Sequence, residues 1–207
     1  MKHGYVALAV VAAVVVLLVV LANKDVDEVV PTAADIAHQK GIVAIRNMGA
    51  KGLGVVALVD IPAWTPVGPY PGKMYSTKQY EVHMQSGRCH DEYAIEFWDV
   101  LPDGSLDYKY IVDPFVEKVL DPRYACVAPY VNEPDTTGPN LVWVWNLPKH
   151  RTELWTSRAI TAGTELTACY GLSYSRKYTT ACTIPGKEPV RYVITTPQQR
   201  RPRKWHI

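Results

Sequence analysis

The sequence predicts an irregular, mostly β domain with short helices, preceded by one transmembrane helix. Three observations predict it. Sixteen Pro and 13 Gly recur through 207 residues, which argues against a helical bundle or coiled coil. Short apolar or alternating runs, each bounded by turn residues, repeat along the chain from Gly41 onward. The stretch from Gly4 to Ala22 carries no charged residue.

That apolar run spans roughly 28 Å as a helix at about 1.5 Å per residue. The hydrocarbon core of a bilayer is ~30 Å thick, so a membrane anchor over residues 4–22 is expected. A cleaved signal peptide ending at Val20-Leu21-Ala22 is the rival, although the run exceeds the length of a typical signal core. Lys2 precedes the run, while Lys24, Asp25, Asp27 and Glu28 follow it. Positive-inside reasoning places the amino end in the cytosol and the body across the membrane. No Asn-x-Ser/Thr sequon occurs.

Residues 23–40 read as a polar tether, punctuated by Pro31, with a short helix possible from Thr32 to Lys40. Gly41 to Arg46 reads as a strand and Val55 to Val59 as its partner, joined through Lys51-Gly52-Leu53-Gly54. Pro62, Pro66, Pro69 and Pro71 then exclude a long helix. Glu92 to Trp98 alternates, with Tyr93, Ile95 and Phe97 on one face. Asp103-Gly104 marks a turn into a strand from Tyr108 to Val112. Leu141–Trp145 and Thr152–Ser157 form another pair, and Lys187 to Thr196 holds one more strand. The tail from Pro197 to Ile207 carries cations without an acid and reads as a solvated, mobile end.

Charged residues make up 20% and hydrophobic ones 48%, which excludes wholesale disorder. A net charge of +2 excludes bulk nucleic-acid binding and leaves only the basic tail as a local patch. Cys89, Cys126, Cys169 and Cys182 contain no Cys-x-x-Cys pair, so no metal site is expected. Their even number permits two disulfides, but structural thiols are the favoured expectation.

Three separated segments, in order, resemble the SET domain family of protein-lysine methyltransferases. Lys51-Gly-Leu-Gly-Val-Val-Ala-Leu-Val-Asp-Ile-Pro62, followed by Gly68-Pro-Tyr-Pro-Gly72, is similar to the family's opening hairpin. Tyr130-Val-Asn-Glu-Pro134 with Pro139-Asn140 resembles F-I-N-H-S-C-x-P-N. Arg158 to Gly171 contains Gly163-Thr-Glu-Leu-Thr-Ala-Cys-Tyr170, similar to G-E-E-L-T-x-D-Y. Between the first two, Tyr110-Ile-Val-Asp113 resembles the family's Y-x-I-D strand. The resemblance covers residues 41–178 and leaves 179–207 as a C-terminal extension. It implies a β-clip fold with a knotted C-terminal segment.

It also implies a function, methyl transfer from S-adenosylmethionine to a protein lysine. Tyr170 matches the catalytic tyrosine; Gly52, Leu53, Gly54, Asn132 and Glu133 match cofactor-binding positions. Each has a plainer reading: a hairpin turn at the glycines, a local turn at Asn132, a buried structural phenol at Tyr170. Tyr93 reads as ordinary sheet packing, with a channel role as the alternative. The chain departs from the family where His becomes Glu133, an aromatic becomes Ala168 and Asp becomes Cys169. A chain with these changes also fits a catalytically degenerate, membrane-anchored structural protein. The Asn-Glu-Pro variant resembles SET proteins of algae and large DNA viruses, which makes a minor capsid protein at a virion's inner membrane the second expectation. The partners expected are the lipid bilayer through residues 4–22, and either a protein substrate or neighbouring structural proteins. Tyr178, Tyr192 and Trp205 are candidate lids over the cofactor.

Overall fold

The computed structural model describes residues 27–87, 93–100, 106–114, 126–135, 137–170, 178, 180–183 and 191–205. The expected membrane span, Cys89 and the Asp103-Gly104 turn lie outside these residues. No helix among the described residues is long and apolar enough to cross a membrane.

Among the described residues, three small sheets share one principal core. The first has the order β1 (Asp27–Val29), β5 (Gly72–Ser76), β7 (Leu106–Asp113), β6 (Ile95–Val100). The second is β10 (Glu165–Leu166), β3 (Leu53–Ala57), β2 (Val43–Asn47). The third is β12 (Arg203–Trp205), β11 (Arg191–Ile194), β8 (Leu141–Asn146), β9 (Arg151–Thr156), β4 (Pro66–Pro69). Two helices, α1 (Ala33–Ile42) and α2 (Thr77–Gln85), pack on this body. Val55, Val112, Leu154 and Leu166 are wholly enclosed in the principal core, each worth about 1.5–3 kcal/mol of apolar burial.

The expected hairpin forms: β2 and β3 pair antiparallel, with Val43 opposite Ala57 and Asn47 opposite Leu53. Its first strand starts later than expected, because Gly41 and Ile42 close α1. The stretch read as a tether is part of the fold from Asp27. β1 pairs with β5, and α1 is capped by Thr32, whose hydroxyl accepts from Asp35 N–H while the Asp35 carboxylate accepts from Thr32 N–H. α1 is then fastened to β9 by a bidentate pair, Arg151 Nη1 and Nη2 each 2.9 Å from an Asp35 oxygen.

Helix α2 has no counterpart among the sequence expectations. It is capped by Ser76 with Gln79, and it buries only Tyr80, in a small cluster with Tyr75 and Ile111. The tail differs as well. β12 pairs antiparallel with β11, which runs parallel to β8, so long-range backbone pairing orders a segment that local composition marks as a loose end.

Candidate active site

The site grows from the β2–β3 turn. Gly52 has φ +76°, a conformation that glycine adopts without strain and that lets Met48 N–H reach Gly52 O at 2.7 Å. The turn leaves Leu53 half exposed and its carbonyl facing inward, where it accepts from Asn132 Nδ2 at 3.1 Å. Gly54 is required for a different reason. A Cβ there would stand 2.8 Å from Asn132 Nδ2 and 2.5 Å from Met48 Cγ.

The second wall is the segment Ala128–Asn132. Gln39 of α1 sets its height by accepting from Val127 N–H at 2.9 Å. Gln39 fits because Gly68 leaves its place open: a Cβ on Gly68 would lie 2.5 Å from Gln39 Nε2. Asn132 then bridges Thr167 in parallel fashion, and its carbonyl accepts from Ala168 N–H at 3.0 Å. Asn140 fixes the same strand from the other side, taking Thr167 N–H on Oδ1 and giving Nδ2 to the Glu165 carbonyl, both at 2.8 Å.

Tyr170 follows directly. Its backbone N–H donates to Glu133 Oε1 at 2.8 Å, and its hydroxyl donates to the Val131 carbonyl at 2.7 Å. At position 133, where the chain departs from the family's histidine, the buried Glu133 carboxylate holds Tyr170 with one oxygen and accepts from Tyr178 OH at 3.2 Å with the other. The expectation of free thiols is corrected for two cysteines. Cys169 and Cys182 form a disulfide, and Thr180 Oγ1 and Ala181 N–H bond the carbonyls of Pro134 and Asp135. The disulfide forms because these bonds lay residues 180–182 beside Cys169. Joining the two sulfurs leaves only the carboxylate as a metal ligand in the Glu133–Cys169–Cys182 group. Cys126 is free and buried, and burial pushes its thiol up to about 12.

An aromatic lining adjoins Tyr170. Tyr70 is buried, gives its hydroxyl to the Tyr93 carbonyl at 2.7 Å and meets Trp143 edge-on at 5.5 Å. Trp143 Nε1 in turn donates to the Cys169 carbonyl at 2.8 Å. Burial raises the Tyr70 phenol well above its ordinary value, with Tyr170 next among the causes. Burial also raises Tyr130, with Tyr93 contributing. Tyr93 is not a sheet-packing residue as expected: it precedes β6 and is 40% exposed, because its backbone rather than its ring is what the fold uses.

The structure therefore brings Leu53, Gly54, Asn132, Glu133 and Tyr170 together, with Gly52 shaping the turn beside them. Of the candidate lids, Tyr178 lies here, while Tyr192 packs against Trp64 at 5.2 Å. Trp205 belongs to β12. Sequence reasoning missed Tyr70, Trp143 and a charged group at the turn. Lys51 Nζ lies 3.3 Å from Glu165 Oε2 and 2.9 Å from Asp135 Oδ2, and Glu165 Oε1 accepts from Asn132 Nδ2 at 3.0 Å. Signals for Lys51 and Glu165 were present, one next to Gly52 and the other inside the Gly-Thr-Glu-Leu stretch.

A cavity of about 200 Å³ lies elsewhere, lined by Asp35, His38, Arg151 and Glu153 among others. Its charges are engaged with one another: Arg151 Nε is 2.8 Å from Glu153 Oε1, and Asn146 and Trp155 donate to Glu153 Oε2. It ties α1 to the third sheet, with His38 Nε2 2.8 Å from the Pro66 carbonyl.

No curated protein matches the chain. The family model of the SET domain matches residues 52–171, from the glycine turn through the residue after Tyr170. Together with this geometry, that match over more than half the sequence makes the chain a member of the SET domain family.

Proposed function

We propose that this protein is an S-adenosylmethionine-dependent protein-lysine N-methyltransferase, anchored in a membrane by residues 4–22. The observation that carries the reading is the convergence of Leu53, Asn132, Glu133 and Tyr170 on one place in the fold, from stretches remote in sequence. In this reading the strand ending at Tyr170 threads past residues 131–134 as the family's knot does. The residues fit the cofactor. The glycine turn admits close backbone approach, Leu53 offers an exposed ledge, and Asn132 and Lys51 supply donors beside the Glu165 acceptor.

When bound, S-adenosylmethionine supplies an electrophilic sulfonium methyl. The chain's part is to present a neutral amine in line with it. A free lysine has a pKa near 10.4, and enclosure among Tyr70, Tyr130 and Trp143 disfavours the ammonium form. Tyr170 OH and the Val131 carbonyl, locked together at 2.7 Å, place oxygen atoms where a polarised methyl is attracted. Glu133 holds Tyr170 in that position through its backbone. Such alignment supplies much of the rate.

The test is titration calorimetry with S-adenosylmethionine, followed by methyl transfer to lysine-containing peptides by the wild type and Tyr170→Phe. Heat on titration and turnover that falls in the variant support the reading. A folded sample that gives no heat overturns it.

A second reading is favoured by the Cys169–Cys182 disulfide. Disulfides persist in oxidising compartments and on virion surfaces, away from the cytosolic cofactor supply. In that reading the fold is a catalytically inert, membrane-anchored structural component, such as a minor capsid protein of a large DNA virus. A fixed stoichiometry in particles, with neighbours covering the hollow, supports it; activity lost in Tyr170→Phe excludes it.

A further inference from the structure

The first sheet has an overhang. β5 ends at Ser76, opposite Tyr110 of β7. β6 and β7 go on pairing beyond that level, Trp98 with Lys109 and Val100 with Leu106, and among the described residues no third strand accompanies them. The amino-terminal chain meets the sheet at the same end. β1 and β7 each pair antiparallel with β5, so they run parallel to one another. Asp27 stands opposite Met74, and Met74 opposite Val112. The first residue of β1 therefore faces the end of the sheet from which β7 starts. β1 lies two strands from β7, about 10 Å across the sheet.

Two lengths then agree. From the level of Val112 to the pair Val100 and Leu106, the overhang extends ~17–20 Å at about 3.3–3.4 Å per residue. The apolar run ends at Ala22, and the five steps of chain from there to Asp27 reach at most about 18 Å. A bilayer crossed by residues 4–22 thus begins no farther from β1 than the overhang projects. The overhang suits that neighbour in composition. Trp98, Val100, Leu106 and Tyr108 fall within it. Tryptophan and tyrosine combine an apolar ring with a polar hydrogen-bonding tip and concentrate at the headgroup level of membranes. Asp99 and Asp107 outnumber Lys109, so anionic headgroups are not what this surface selects.

We infer that the overhang of β6 and β7 rests in the headgroup layer of the bilayer that residues 4–22 cross. The inference builds on the membrane anchor proposed above and adds to it a second, independent membrane contact made by the folded body. Its consequence concerns access to the candidate active site. Tyr93, whose carbonyl accepts from Tyr70, precedes β6 at the opposite end of these strands. Docking of the overhang holds that end away from the lipid, toward protein partners that stand off the membrane.

The experiment places the full chain in phosphatidylcholine vesicles and repeats the measurement with lipid brominated near the headgroup end of its acyl chains, which quenches tryptophan at that depth. Flotation with the vesicles reports the anchor separately. Trp98 is one of six tryptophans, so the brominated lipid is expected to remove roughly a sixth of the emission. In Trp98→Phe that loss shrinks about threefold or more. Val100→Trp in the otherwise wild-type chain reads the same surface as a gain and is expected to raise the loss about twofold. Thermal unfolding of each variant separates lost contact from lost fold. Equal quenching of the wild type and a folded Trp98→Phe, with the chain still floating, overturns the inference and leaves the anchor standing; an overhang in water, or seated on a second copy of the chain, gives that result. An unchanged loss in a folded Val100→Trp also overturns it. Failure of the wild type to float overturns both.

Discussion

Glu133 shows how a single substitution is absorbed without losing the architecture around it. Its Oε1 is fixed on the Tyr170 N–H and its Oε2 on the Tyr178 hydroxyl. Glu133→Ala strands a backbone donor in a closed site, at a cost of about 1–3 kcal/mol. Glu133→Gln keeps one acceptor and is expected to lose less than half as much, as chemical denaturation of the two variants will report. Tyr170→Phe removes the donor to Val131. It is expected to leave cofactor affinity nearly unchanged while lowering turnover by about 100-fold or more, read from calorimetry and single-turnover kinetics together. Cys126 is the contrasting case. Its Sγ donates to the Pro69 carbonyl, and with its thiol pushed up to about 12 it supplies no thiolate near neutral pH. Alkylation of Cys126 is expected only once denaturant has opened the fold.

At the scale of elements, α1 is held by charge rather than by an apolar stripe. Arg151 lies between Asp35 and the buried Glu153. Burial alone would raise both carboxyls, but bonds from Arg151 and Thr32 to Asp35, and from Asn146 and Arg151 to Glu153, hold both below the ordinary carboxylate range. A carboxyl depressed in the folded state stabilises above its unfolded pKa and loses that contribution as pH falls through the folded one. The thermal midpoint is therefore expected to fall steadily below about pH 4, and Asp35→Asn to flatten the upper part of that decline. Arg151→Ala removes the cation shared by Asp35 and the buried Glu153, leaving Glu153 only the more exposed Lys149, and costs up to about 3–5 kcal/mol. Elements of this kind divide by how local their cause is. The β2–β3 hairpin was legible because its apolar runs and turn glycines sit within a few residues of one another, and the β8–β9 pair because two strand-like runs flank one short turn holding Pro148. Helix α2 was not, since it buries only Tyr80, although the Ser76–Gln79 capping pair stood in the sequence. β12 was not, because its strand character comes from pairing with β11. In the site, the glycine turn, Asn132 and Tyr170 were legible as motifs, while Lys51 and Glu165 each stand in such a motif but their pairing, across 114 residues, was not legible.

Over the whole molecule, membrane side and redox state bear on the same question. If residues 4–22 span a membrane, positive-inside reasoning puts the body opposite the amino end, and a disulfide such as Cys169–Cys182 persists most readily in an oxidising milieu. These agree with each other and favour the structural reading; a cytosolic body favours the enzyme. The full chain produced with sealed vesicles decides between them. It is expected to resist alkaline extraction, and Ala13→Arg with Val15→Arg to release it, because each central arginine costs about 2.5–3.5 kcal/mol of insertion. Protease added outside cytosol-derived vesicles then reports the side. Digestion of the body only after detergent places it in the lumen, where the disulfide is stable and the hollow has no ready supply of sulfonium donor. Digestion without detergent places it in the cytosol. There the Cys169–Cys182 bond is exposed to thiol reductants, and the Pro134 and Asp135 carbonyls must hold residues 180–182 against Tyr170 by hydrogen bonds alone. A bridge closing a loop of this length contributes about 2–4 kcal/mol, so a body that works in the cytosol is expected to bind its cofactor with the bond reduced. Measuring the affinity with and without a dithiol reductant therefore ties location to function: tolerance of reduction marks a cytosolic enzyme, and loss of the hollow on reduction marks a fold kept for an oxidising surface.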